Sequence, residues 1–448
     1  MSGRSLASSP WRAAGLLLLL CIVLRLVLFH GQAAQFAPDS STYVQAARDW
    51  LSGDYSVGQG RRTLGYPLVI ALVGESPTVL LWANAVAGTI SALLLFHIAF
   101  VLTRSTKAAF LAGALHTLNL QQLAQEALVL TETLSATTVI ATLSAAVHVL
   151  QRWRAGRPAL FGAVGLGVLA TWALMTRPQF LFLPMLLPLA ALWVMRSGRR
   201  WLPPAGALVP AAAVVLPAAL LILAWASHLQ AKTGHFTMST QSGFGMVNHV
   251  IDYVELAPDR YRPARDVLQQ VRDARIAAVG HSRNTIWYAW PEIQRVTGWS
   301  LPEASAEMQR MCVDLFAAYP GRYAMSVASA WVDFWTVPIF WQPESIRPPQ
   351  LQTALQALWW IEHKLLRGAN LAFVLLLAAV LVVPALRRRL RWDTELTVLS
   401  LTVIGSSLIQ ALADQGASSR YALPTQSVVV LVLVVALVRW RAGRAAPA

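Results

Sequence analysis

The feature that most constrains this chain is a series of ten apolar windows joined, for the most part, by short arginine-rich links. The windows fall at roughly 13–30, 78–101, 106–122, 128–150, 158–175, 178–195, 203–227, 369–386, 395–413 and 421–438. Windows of this kind match the hydrocarbon thickness of a bilayer. Inside lipid every backbone polar group must be paired within its own segment, so such windows predict helices. The expected fold class is an all-α polytopic membrane protein with about ten transmembrane helices. Composition agrees: 56% of the 448 residues are hydrophobic and 13% are charged, more apolar than a soluble core requires. Pro184, Pro188, Pro210 and Pro217 predict kinks in their helices.

The net charge of +15 would suit a nucleic-acid binder, but its distribution argues against nucleic acid as a partner. With the N-terminus in the cytoplasm, the inner links receive Arg4 and Arg12; Arg104 and Lys107; Arg152, Arg154 and Arg157; Arg196, Arg199 and Arg200; Arg387, Arg388, Arg389 and Arg391; and Arg439, Arg441 and Arg444. The short outer links receive little more than Arg177 and Arg420. That asymmetry obeys the positive-inside rule and puts both termini in the cytoplasm. The scheme closes only if the first segment is kept, although Gly31-Gln32-Ala33-Ala34 loosely resembles a signal-peptide cleavage site. Arg25, within that segment, is expected to snorkel outward or face a polar cavity. Cys21 and Cys312 form neither a disulfide framework nor a metal motif.

Three regions follow: a membrane module over 1–227 with a first outer loop at 31–77, a large outer domain at 228–368, and C-terminal helices at 369–448. The outer domain reads as turn-rich at first, with Gly243-Phe244-Gly245 predicting a tight turn beside Asn248 and His249, and helical later. Phe316, Tyr319, Tyr323, Trp331, Phe334, Trp335 and Trp341 recur at helical spacing and predict an interfacial stretch at headgroup depth. The absence of an internal repeat weakens a transporter built from inverted repeats.

The first outer loop carries more chemistry than a connection needs. Asp39 precedes an amphipathic stretch, Ser40 to Leu51, whose apolar face is Tyr43, Ala46, Ala47 and Trp50. A carboxylate there can serve as a general base or as the cap of that helix. Glu132 enters a span, where a carboxylate is expensive; it is read as a second acid or as the partner of Arg25 or Arg177, while Glu126 is read as solvated. Arg420 and Arg177 stand at the outer ends of spans, and Asp414 is placed to hold Arg420. His97, His116 and His148 are read as hydrogen-bonding residues of the bundle.

Taken together, Asp39-Ser40-x-x-Tyr43-x-x-x-Ala47, Gly53-x-Tyr55, Arg62-x-x-Gly65-Tyr66-Pro67-Leu68, Thr176-Arg177-Pro178 and Ser419-Arg420-Tyr421-x-Leu423-Pro424 resemble the GT-C membrane glycosyltransferases. The bacterial protein mannosyltransferase and lipid A aminoarabinose transferase group is the most similar in character. The resemblance implies the GT-C fold and a bacterial inner (plasma) membrane location with the active site on the periplasmic face. It implies transfer of a sugar from a polyprenyl-phosphate donor to a glycan, lipid or protein acceptor. Asp39 would be the catalytic base; Arg420, Arg177 and Arg62 would bind the donor phosphate. Tyr43, Tyr66, Glu132, Asp414, Tyr421 and His249 would support the site or touch substrate. Many relatives carry an acidic pair where this chain has Asp39-Ser40, so no cofactor is assigned, a divalent metal being the one candidate. The competing readings are a flippase for lipid-linked glycans and an O-antigen polymerase or ligase.

Overall fold

The computed structural model describes residues 9–157, 159–196, 205–336, 352–415 and 419–445. Arg4, Arg199, Arg200 and Trp341, which carried parts of the sequence reading, lie outside them. The described chain is helical throughout, its only β pairing an isolated bridge between Gln35 and Leu128.

The helices pack as a bundle around one large apolar core. The first is α1 (Pro10–Phe29), which leads through the short surface helices α2 (Ser40–Ser52) and α3 (Gly65–Val73) to the long α4 (Pro77–Thr103). Next come α5 (Thr106–Thr117), the short α6 (Leu120–Glu126), α7 (Glu132–Arg154), α8 (Leu160–Thr176), α9 (Leu183–Arg196) and α10 (Ala205–Thr233). Among the described residues seven helices are long and apolar enough to cross a membrane. The apolar α8 is shorter, and the 12 residues of α5 rise only ~18 Å before α6 follows. Pro188, Pro210 and Pro217 are interior to their helices, but Pro184 falls in the first turn of α9, where no intrahelical N–H is lost.

The region read from the sequence as an outer domain contains α11 (Ser242–Val250), α12 (Arg262–Val279), α13 (Thr285–Thr297) and α14 (Leu301–Ala318), followed by α15 (Pro320–Thr336). It has its own core of Phe244, Val250, Leu268, Ile293, Met308 and Cys312. The expected tight turn at Gly243 to Gly245 is instead the first turn of α11. A Cβ on Gly243 would lie 1.9 Å from the Ser305 carbonyl oxygen, so the glycine serves close approach of α11 to α14. The aromatic stretch likewise departs from expectation. Pro320 divides it into two helices, and Phe334 and Trp335 turn into the core of the bundle rather than toward headgroups. The remaining helices are α16 (Gln352–Val382), which runs unbroken through position 368, then α17 (Pro384–Arg389), α18 (Thr394–Ala413) and α19 (Leu423–Ala445).

The bundle has two chemically distinct ends. At one, Arg154 pairs with Glu395, Arg439 pairs with Asp393, and Arg439 donates to the carbonyls of Arg391 and Leu102. These are the links that the charge pattern assigns to one side. The other end gathers the first loop, the start of α7, the end of α8 and the start of α19.

Candidate active site

The first loop is stitched to the link between α6 and α7. Gln35 N donates to the Ala127 carbonyl at 2.8 Å and Val129 N to the Gln35 carbonyl at 3.0 Å. Ser40 is fully buried; its hydroxyl accepts from Ala37 N and donates to the Val129 carbonyl, both at 2.8 Å. Asp39 is thereby held near Glu132, on the first turn of α7. Asp39 occupies the N-cap position of α2 but makes no side-chain cap. Its Oδ1 accepts from Arg62 Nη2 at 2.8 Å and its Oδ2 from Arg420 Nη2. Burial alone would raise the pKa of this carboxylate, but the Arg420 and Arg62 guanidiniums hold it down at about 2.

Each guanidinium is anchored elsewhere. Arg62 Nε donates to Thr42 Oγ1 at 2.8 Å, and its Cζ lies 4.3 Å from the centre of the Tyr43 ring. Tyr43 meets the fully buried Tyr66 edge-on at 5.5 Å. The Gly65-Tyr66-Pro67 segment sits against α8 so closely that a Cβ on Gly65 would lie 2.4 Å from Thr176 N. That contact brings the first loop beside Arg177. Arg177 Nε donates to Thr131 Oγ1 at 2.9 Å and Nη2 to Glu132 Oε1 at 2.7 Å, leaving Nη1 buried without a partner. Arg420 Nε reaches the same Glu132 oxygen at 3.5 Å. Tyr421 lies beneath both arginines, 4.8 Å from Arg177 and 5.6 Å from Arg420.

The result is a continuous chain: Arg62, Asp39, Arg420, Glu132, Arg177. Three guanidiniums alternate with two carboxylates, leaving one positive charge in excess. The Glu132–Arg177 end is sealed, with side chains 1% and 7% exposed, whereas Arg420 and Asp39 are 27% and 31% exposed. The cluster therefore has a buried root and an open tip. Such an array suits an anion. The carboxylates of Asp39 and Glu132 are each paired with arginine, and among the described residues no group of three His, Cys, Asp or Glu side chains is placed to hold a metal ion.

Other sequence-predicted residues lie further out. The acids on Arg420 are Asp39 and Glu132, while Asp414 accepts from Asn248 Nδ2 at 2.7 Å and so joins α18 to the outer domain. His249 is not in the arginine cluster; it bonds Ser326 at 2.7 Å, and Ser326 donates to Gln415 at 2.6 Å. Beside this seam is a cavity of about 330 Å³ lined in part by Asn248, Ile251, Asp252, Ser282, Arg283 and Gln415. Trp50 is exposed, and the buried face of α2 is Tyr43, Val44 and Ala47. Two readings are corrected outright. Glu126 is not solvated but fully buried, and Arg25 neither snorkels nor lines an open cavity. Arg25 grips Glu126 through Nε at 2.9 Å and Nη2 at 2.7 Å. The cost of an unpaired charge in a span was a signal that could have paired them. Of the three histidines, His116 bonds Ser427 across α5 and α19 at 2.7 Å.

No known protein-family profile and no curated protein sequence matches the chain. Solved structures do. The archaeal oligosaccharyltransferase AglB from Archaeoglobus fulgidus, in complex with an inhibitory peptide and a dolichol-phosphate, is similar over 96% of this chain and 50% of its own, with 11% identity and a TM-score of 0.50. The apo oligosaccharyltransferase of the same organism covers 95% of this chain at 13% identity, covering 50% of its own length with a TM-score of 0.48. The chain spans about half the length of the structures it matches. The likeness is one of fold, and it is the fold that the loop motifs led one to expect.

Proposed function

We propose that this protein is a membrane glycosyltransferase that moves a sugar from a polyprenyl-phosphate carrier to an acceptor at the outer face of a bacterial inner membrane. The observation that carries this reading is the arginine–carboxylate chain at one end of an apolar bundle, with one cation in excess. A lipid-linked phosphate is the anion that reaches such a position with its tail in hydrocarbon. The fold similarity supports the general class, and the archaeal enzyme's complex with a dolichol-phosphate supports a lipid-linked donor.

The reaction follows from the charges. The acceptor oxygen attacks the anomeric carbon as the bond from that carbon to the phosphate oxygen breaks. The bonding electrons leave with the phosphate, and Arg420 and Arg62 stabilise the developing charge. Asp39 takes the acceptor proton. Glu132 and Arg177 hold Arg420 from beneath, and Tyr421 packs against both arginines. Attack opposite the leaving group inverts the anomeric carbon. The acceptor would approach from the outer domain, where the cavity at Gln415 is five residues along the chain from Arg420, a reach of at most ~17 Å.

The test is mass spectrometry of envelope glycans, lipids and proteins from a deletion strain complemented with wild type or Asp39→Asn at equal membrane levels. Wild type is expected to restore a sugar-sized mass shift and Asp39→Asn to lose it by at least ~100-fold, the order of a general base. Full restoration by Asp39→Asn overturns Asp39 as base. Accumulation of lipid-linked intermediates on the inner leaflet would point to a flippase instead.

A further inference from the structure

The cluster contains an anion site that is already filled, and its occupant belongs to the protein. Arg62 is fixed through Nε by Thr42, and Arg420 through Nε by Glu132; each then directs Nη2 onto one oxygen of Asp39. Two guanidiniums converging on one anion are the arrangement that recognises a phosphate as readily as a carboxylate. The Asp39 side chain is tied by no backbone N–H, although it sits where a helix cap would be. It is also at the open tip of the cluster, while Glu132 and Arg177 form the closed root.

We infer that Asp39 and the donor phosphate compete for the same two arginines, so that donor binding itself releases the carboxylate to act as base. The inference rests on the glycosyltransferase reading and deepens it. Before the donor arrives, Asp39 is a poor proton acceptor, because its negative charge is spent on Arg62 and Arg420. When a phosphate occupies Nη2 of both, Asp39 loses two cations and gains a neighbouring anion. Its basicity rises at the moment an acceptor must be deprotonated. In the empty enzyme the same ion pairs keep an uncompensated positive patch from gathering adventitious anions. The charged and titratable groups that face Asp39 are Arg62, Arg61 and Tyr43 from the first loop and α2, Arg420 and Tyr421 before α19, and Glu132 on α7. Of these only the arginines lower its pKa, and the phosphate removes the two nearest.

The exchange has a signature that a fixed base lacks: proton uptake on binding, and an inverted effect of removing the acid. The probe is farnesyl methyl phosphate, a phosphodiester that does not itself titrate in the weakly acidic range. Calorimetric titration of the purified full-length protein in detergent, in two buffers of different ionisation enthalpy, reads the protons taken up. At about pH 5 wild type is expected to take up a measurable fraction of a proton per probe bound, and Asp39→Asn none. Asp39→Asn is expected to bind the probe about tenfold tighter, since its side chain no longer competes as an anion. Weaker binding by Asp39→Asn would make Asp39 a strut for the arginines and overturn the exchange. Wild-type binding without proton uptake overturns it too, even if the variant does not fold, and leaves the donor reading standing. Failure of wild type to bind the diester overturns the donor reading and the exchange together.

Discussion

At the scale of the residue, the two carboxylates of the cluster differ in what they hold. Glu132 is sealed and shared between Arg177 and Arg420. Removing its charge leaves Arg177 as a buried cation without a counter-ion, and breaking such a pair costs about 3–5 kcal/mol. Asp39 is partly open, so loss of its pairs costs less than that, about 1–2 kcal/mol. Glu132→Gln is therefore expected to lower the thermal midpoint in detergent more than Asp39→Asn, which abolishes transfer. A thermal shift series on the two purified variants checks this; equal destabilisation would mean that both acids are structural. The same contrast explains what the sequence could show at residue level. An acid after the first span and a lone outer arginine were visible because both break the local charge pattern. Their mutual contact was not, because Asp39 and Arg420 are 381 positions apart and no local rule joins them. Arg25 and Glu126 were separated for the same reason, 101 positions apart and opposite in apparent environment.

At the scale of the element, the site depends on how closely α3 approaches α8. The apolar windows predicted where most of the long helices lie, because hydrocarbon thickness sets helix length and hydropathy reports it directly, although the window at 106–122 divides into α5 and α6. The helical outer domain was less legible: Gly243 reads as part of a turn but instead serves interhelical approach, as does Gly65 in the first loop. Composition cannot distinguish the two uses, since glycine supports both a strained backbone and a missing side chain. The Gly65 contact is against backbone, which cannot swing away as a side chain can. Gly65→Ala is expected to push α3 off α8 at a cost of about 1–3 kcal/mol. Because α3 follows Arg62 and adjoins Arg177, the displacement should reduce transfer at least ~10-fold even where the protein stays folded, in line with the sensitivity of catalysis to misplacement. Transfer assays at matched folded protein, judged by gel filtration, separate this from simple instability; unchanged activity would show that the approach of α3 does not position the arginines.

At the scale of the whole molecule, the outer domain meets the bundle through a short polar seam. Ser326 has one proton, and it goes to Gln415 Oε1, so His249 Nδ1 must be the donor to Ser326. The other ring nitrogen is then the one that would take a proton, and it is buried without a partner beside Phe316 and Tyr323. Burial lowers the His249 pKa to about 4. In the unfolded or undocked chain the imidazole binds its proton near pH 6.5. Between those limits the open state carries more protons than the closed one, so stability rises with pH across that window and is level above it. Full coupling over the window amounts to about 3 kcal/mol, enough to loosen one seam. Hydrogen exchange of α11 and α15 should therefore accelerate as pH falls from 6.5 toward 4, after correction for intrinsic rates, with the bundle helices unaffected. His249→Gln, which cannot titrate, should flatten that response. If the variant and wild type lose protection in parallel, the acid sensitivity belongs to another group and the histidine is only packing. Since Gln415 also borders the outer cavity and leads along the chain to Arg420, loosening at His249 should reach the site as a rise in acceptor KM before any fall in kcat.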